Sequence, residues 1–138
     1  MAKSIPQAIS CSHWISRRSN VYTQDIGAGS IVMPEAFIGP DVKIGESCIV
    51  YSGVSLTHHI VMEDNCFIAS GVVVGGNVRI GRNCFIGLNS TIRNRVKIAG
   101  YTLVGCASNV VKDIEEEGKV VVGNPARIIV GKESYNSL

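Results

Sequence analysis

Cys66-Phe67-Ile68-Ala69-Ser70-Gly71-Val72-Val73-Val74-Gly75-Gly76-Asn77-Val78-Arg79-Ile80-Gly81-Arg82-Asn83-Cys84 is the stretch that decides the fold. Ile68, Val74 and Ile80 recur every six residues, and four residues after them come Val72, Val78 and Cys84. Because side chains alternate along an extended chain, two inward residues flanking one outward residue make a short strand, and the Gly- and Asn-rich pair left over turns a corner. The same step continues in both directions. From Ile26 to Val110 all fifteen sixth residues are Ile, Val, Leu or Met, and the fifteen residues four further on, Ser30 to Ile114, are all small or apolar. A fixed period of this kind marks a solenoid. Hexads predict an all-β chain wound into a parallel β-helix.

Three hexads close a triangular coil of eighteen residues, the spacing that separates Cys48, Cys66 and Cys84. These cysteines are expected to stack on one inner column, with Ser30 below and Thr102 above. Successive coils lie about 4.8 Å apart, within reach of a disulfide, but parallel Cβ vectors do not suit its geometry. Buried reduced thiols acting as small hydrophobes are the expectation. Residues 26–115 then give five coils stacked to about 24 Å. Residues 1–25 form an irregular segment or a partial first coil. Residues 116–138 form a cap and tail, and the charged run from Asp113 to Gly118 closes the open end of the core.

With 138 residues, 46% of them hydrophobic, 17% charged and a net charge of +2, the chain is one folded domain rather than a disordered polyelectrolyte. Its apolar runs fall far short of the roughly 18 residues that span a bilayer, and the start of the chain lacks a signal core. No membrane association and a cytoplasmic location are expected. Lysines and arginines are scattered among eleven acids, which argues against a nucleic-acid partner.

The outward columns differ between the three faces. One reads Ile31, Ile49, Phe67, Phe85 and Leu103, a second Lys43, Val61, Arg79 and Lys97, and a third Phe37, Ser55, Val73, Thr91 and Asn109. An apolar stripe as long as the first marks an interface. A homo-oligomer follows, most simply a closed cyclic trimer.

Two of the three histidines, His58 and His59, are adjacent at one corner. Two polar residues at an exposed turn need no special purpose, but the stacking adds a reason to look further. Eighteen residues after His58 comes Gly76, a corner with no side chain and an accessible backbone N–H. Eighteen before His59 comes Asp41, placed to hold or pair with that ring. An imidazole beside a bare amide supplies a base that titrates near neutrality and a donor for an oxyanion, as acyl transfer requires. A zinc site needs about three converging ligands. His58 and His59 are expected to point in different directions and the corner column otherwise offers Pro40 and Asn94, so no metal is expected. Cys106 at another corner has no base in its column to make it a nucleophile.

The unbroken hexads, together with Leu56-Thr57-His58-His59, Gly75-Gly76-Asn77-Val78-Arg79-Ile80-Gly81, Phe85-Ile86-Gly87, Val110-Val111-Lys112-Asp113 and Val122-Gly123-Asn124-Pro125-Ala126-Arg127, resemble the hexapeptide-repeat acyltransferases. The resemblance is greatest to bacterial sugar acetyltransferases of the sialic acid O-acetyltransferase and bacillosamine or perosamine N-acetyltransferase type, and it covers residues 20–130. It implies a left-handed β-helix, an exception to right-handed crossovers, and transfer of an acetyl group from acetyl-CoA to an amine or hydroxyl of a sugar or nucleotide sugar. It further implies His58 as general base in direct attack and cofactor contacts at Phe67, Gly76, Leu88 and Cys106, with Gly76 N–H as oxyanion donor. Leu88 and Cys106 share a corner a full prism side from His58, which favours a site between subunits of a trimer. Two departures stand out. The family usually places Asp or Glu after the catalytic histidine, where this chain has His59, leaving Asp41 and His59 as the candidates to orient the base. Its N-terminal nucleotide-sugar domain has no counterpart before residue 26. A metal hydratase resembling γ-carbonic anhydrase and a non-catalytic assembly scaffold are the alternative uses of such a helix.

Overall fold

The computed structural model describes residues 12–129; the outer parts of the two terminal segments lie outside them. Sixteen two-residue parallel strands wind into three sheets. Seven strands stack on the first face: Trp14–Ile15, Ile31–Val32, Ile49–Val50, Phe67–Ile68, Phe85–Ile86, Leu103–Val104 and Val120–Gly123. The second face runs from Asn20–Val21 to Asn109–Val110, and the third from Lys43–Ile44 to Lys97–Ile98. Pairing follows the eighteen-residue step, as in Phe67 with Phe85, Ser55 with Val73 and Val61 with Arg79. The chain is the parallel β-helix that the hexads predict. No helix among the described residues is long and apolar enough to cross a membrane.

Both inward columns, Ile26 to Val110 and Ser30 to Ile114, are buried at every position. Four buried hydroxyls interrupt the hydrocarbon, and their hydrogen bonds go to the backbone, as burial of a polar group demands. Ser30 Oγ donates to Gly45 O at 2.7 Å, Ser90 Oγ to Gly105 O at 2.9 Å and Thr102 Oγ1 to Ala99 O at 2.7 Å, while Ser108 Oγ accepts from Gly123 N–H at 3.2 Å. Cys48, Cys66 and Cys84 are buried free thiols on one column. Each donates across the corner to a carbonyl, at 3.1 Å to Glu63 O, 3.1 Å to Gly81 O and 3.2 Å to Ala99 O. Hydrogen bonding with Cys66, reinforced by burial, raises the Cys48 thiol far above its ordinary range.

The solenoid makes about six turns rather than five. The added turns depart from the strict period: Trp14 pairs with Ile31 and Asn20 with Phe37, a step of seventeen. At the other end Ile98 bridges Ile114 and Leu103 pairs with Val120, steps of sixteen and seventeen. One residue fewer in a corner shifts every inward position by one, so a six-residue reading loses the strand while the backbone still forms it. Above the last coil, Val120–Gly123 and Ala126–Ile128 form an antiparallel hairpin through a cis Asn124–Pro125 bond.

Every corner from residue 29 to residue 107 has a left-handed residue at its second turn position, Gly at 29, 53 and 71 and a side-chain-bearing residue elsewhere. Asp41 has φ 58°, His59 φ 53° and Asn77 φ 61°. Asn and Asp tolerate this region, and a repeated corner imposes it on His59 as well.

Candidate functional site

Asp41, His58, His59 and Gly76 meet at the corner between the second and third faces. Leu56 anchors this corner in the core, fully buried two residues before His58. Ladder bonds hold the corner's backbone: His59 N–H donates to Pro40 O at 3.1 Å, Asn77 N–H to His58 O at 3.2 Å and Arg95 N–H to Gly76 O at 2.9 Å. Gly76 N–H donates to no backbone carbonyl among the described residues. The His58 ring lies against Gly76. A Cβ built on Gly76 would stand 2.5 Å from His58 Nε2 and closer still to Cε1, so only glycine leaves the ring where it is.

The two histidines do not point apart. Their rings meet edge-on at 86° with centroids 5.3 Å apart, and Nδ1 of His58 lies 3.1 Å from Nδ1 of His59. His59 Nε2 in turn lies 3.3 Å from Asp41 Oδ2. His59 is in the left-handed region, φ 53°, and its ring reaches both neighbours. Side-chain exposures of 57% for His59 and 69% for Asp41 mean that solvent screens the pair, which contributes at most about 1 kcal/mol to stability. Chemically, the corner presents one imidazole nitrogen, His58 Nε2, beside an unengaged backbone amide.

Phe67, Leu88 and Cys106 are not brought to this corner. Phe67 lies on the first face, its ring stacked on Phe85 at 5.1 Å and 11° and tilted against Tyr51 at 5.7 Å. Leu88 and Cys106, both exposed, share the corner between the first and second faces, joined by the bond from Ala107 N–H to Leu88 O at 2.7 Å. Beside Cys106 an apolar cleft of about 450 Å³ is lined by Phe85, Gly87, Leu103, Val104, Gly105 and Val122. The outward apolar stripe is partly self-covering: Ile31, Ile49, Phe67 and Phe85 are half-buried and Leu103 is buried. No group of three His, Cys, Asp or Glu residues that could hold a metal occurs among the described residues.

Two cations escaped the sequence reading. Arg93 and Arg95 sit one coil above Gly75 and Asn77, exposed and without a carboxylate partner within 4 Å among the described residues. The eighteen-residue step that sets Gly76 over His58 also finds them.

The family model described as bacterial transferase hexapeptide (six repeats) matches residues 59–94. No curated protein sequence matches the chain. Among solved structures, a variant GDP-perosamine N-acetyl transferase from Caulobacter crescentus, in complex with CoA and GDP-perosamine, superposes with a TM-score of 0.74 at 25% identity, over 86% of this chain and 53% of its own. WeeI from Acinetobacter baumannii AYE gives 0.73 at 28% identity, over 85% and 54%. The acetyltransferase domain of PglB from Neisseria gonorrhoeae FA1090, in complex with acetyl coenzyme A, shares the fold at 0.60 and 23% identity, over 85% and 54%. The chain spans about half the length of these solved chains. In its repeat and in its fold, the chain resembles the hexapeptide-repeat sugar acetyltransferases.

Proposed function

We propose that the chain is an acetyl-CoA-dependent acetyltransferase that acylates an amine or hydroxyl of a sugar or nucleotide sugar in the cytoplasm. The observation that carries this reading is the His58 ring seated on the bare Gly76 backbone, with Asp41 and His59 behind it. His58 Nε2 takes the proton of the acceptor as its nitrogen or oxygen attacks the thioester carbonyl. Gly76 N–H receives the oxyanion, the C–S bond breaks, and the His58 proton leaves with the CoA thiolate. Arg93 and Arg95 supply positive charge for phosphate groups close to the site.

Phe67, Leu88 and Cys106 contact the cofactor from a neighbouring copy in a homotrimer, because they lie a face away from His58 in their own chain. The cleft beside Cys106 offers apolar room for the pantetheine arm. Light scattering is expected to give three times the 14.7 kDa chain mass, and Phe67→Glu to yield monomer and lose transfer together. A monomeric wild type that transfers acetyl would overturn the shared site.

Titration calorimetry with acetyl-CoA tests the whole reading. Wild type and His58→Ala are both expected to bind with micromolar affinity, since a base contributes little to holding the cofactor. No binding by the wild type would defeat it.

A further inference from the structure

With Asp41 ionised and both imidazoles neutral, one set of protons satisfies the chain of contacts from Asp41 through His59 to His58. An ionised carboxylate accepts hydrogen bonds and donates none, so the His59 Nε2 that stands 3.3 Å from Asp41 Oδ2 carries the proton. A neutral imidazole has one N–H, so His59 Nδ1 is a lone pair. Facing it at 3.1 Å is His58 Nδ1, which must then be the donor. That leaves the lone pair of His58 on Nε2, the nitrogen beside Gly76.

We propose that His59 is a positioning residue that carries the hold of Asp41 to His58 through its own ring, and that only its Nε2–H tautomer leaves the His58 lone pair turned to the acceptor. This rests on the reading of His58 as base. When His58 Nε2 takes the acceptor's proton, its Nδ1–H keeps the same bond and nothing has to rotate. A proton on His59 Nδ1 would instead face His58 Nδ1 and drive the His58 hydrogen to Nε2, where the base is lost.

Substitution at His59 separates this relay from simple packing. In aspartate Oδ1 is bonded to Cγ as Nδ1 is in histidine, so His59→Asp sets an acceptor close to where Nδ1 sits, in a residue that tolerates φ of 53°. Asp41→Asn is expected to lower kcat by about tenfold or more without raising the KM for acetyl-CoA, because an amide can donate to His59 Nε2 and reverse both tautomers. His59→Ala should show a loss of the same size. Most of the Asp41→Asn loss should vanish in a His59→Asp background. Asp41→Asn costing the same factor in both backgrounds would overturn the relay.

Two-bond ¹H–¹⁵N spectra of the imidazoles give a second readout that needs no acceptor. His58 is expected to be protonated on Nδ1 and His59 on Nε2 at neutral pH. The proton of His58 found on Nε2 would refute the relay whatever the protein catalyses. These tautomers in a protein that transfers no acetyl group would uphold the relay and defeat the functional reading.

Discussion

His58→Ala is expected to lower kcat for acetyl transfer by about 10²–10⁴-fold, the range a positioned general base supplies, with acetyl-CoA affinity nearly unchanged. Gly76→Ala should reproduce much of that loss for a geometric reason. Its new methyl group would overlap the His58 ring, and that ring, exposed and held through one contact to His59, swings away rather than distorting the coil. Gly76 has an ordinary φ, so alanine costs the backbone nothing, and the midpoint of thermal unfolding should stay within about 2 °C of wild type. Steady-state kinetics on both variants, beside their melting curves, checks this. An active Gly76→Ala protein would show that the seat of the ring on Gly76 is incidental.

Gly39→Ala is expected to do the opposite. Its methyl group would overlap the carbonyl oxygen of Thr57, which belongs to the backbone of the next coil and cannot rotate away. That backbone is fixed by the bond from Gly39 N–H to Leu56 O at 2.8 Å and by the stacking of Ile38 on Leu56 inside the core. Coils stack about 4.8 Å apart, and at this position the missing Gly39 side chain would point straight at the Thr57 carbonyl. Overpacking a close-packed interior costs about 1–3 kcal/mol and more where the neighbour is rigid, so we expect a loss of about 3 kcal/mol and a midpoint lower by about 10 °C. Thermal unfolding followed by circular dichroism measures it. An unchanged midpoint would mean that the coils spread apart at little cost.

Gly76 and Asp41 illustrate what the order of residues made legible. The eighteen-residue step sets Gly76 over His58 and Asp41 under His59, and both neighbours are where arithmetic puts them. Arithmetic fails where the step changes. The strands at Trp14–Ile15 and Asn20–Val21 pair across seventeen residues, so their inward residues Ile15 and Val21 fall out of the hexad frame. Cys106 and Leu88 do share a corner, a face away from His58, but the apolar cleft beside them was hidden. Gly87 and Gly105 lack side chains at the edge of the first face, and Val122, from the closing hairpin, lies over Gly105 to form its far wall.

The sequence by itself determined the coil, the inner columns and the stacking of residues eighteen apart, since every inward position of a solenoid must be apolar or small and the period can be counted. Only the tertiary structure decided that His58 and His59 turn their Nδ1 atoms toward one another and that Asp41 closes the chain behind them. A corner's left-handed φ sets the direction of a side chain, and direction, unlike burial, leaves no periodic trace in the order of residues.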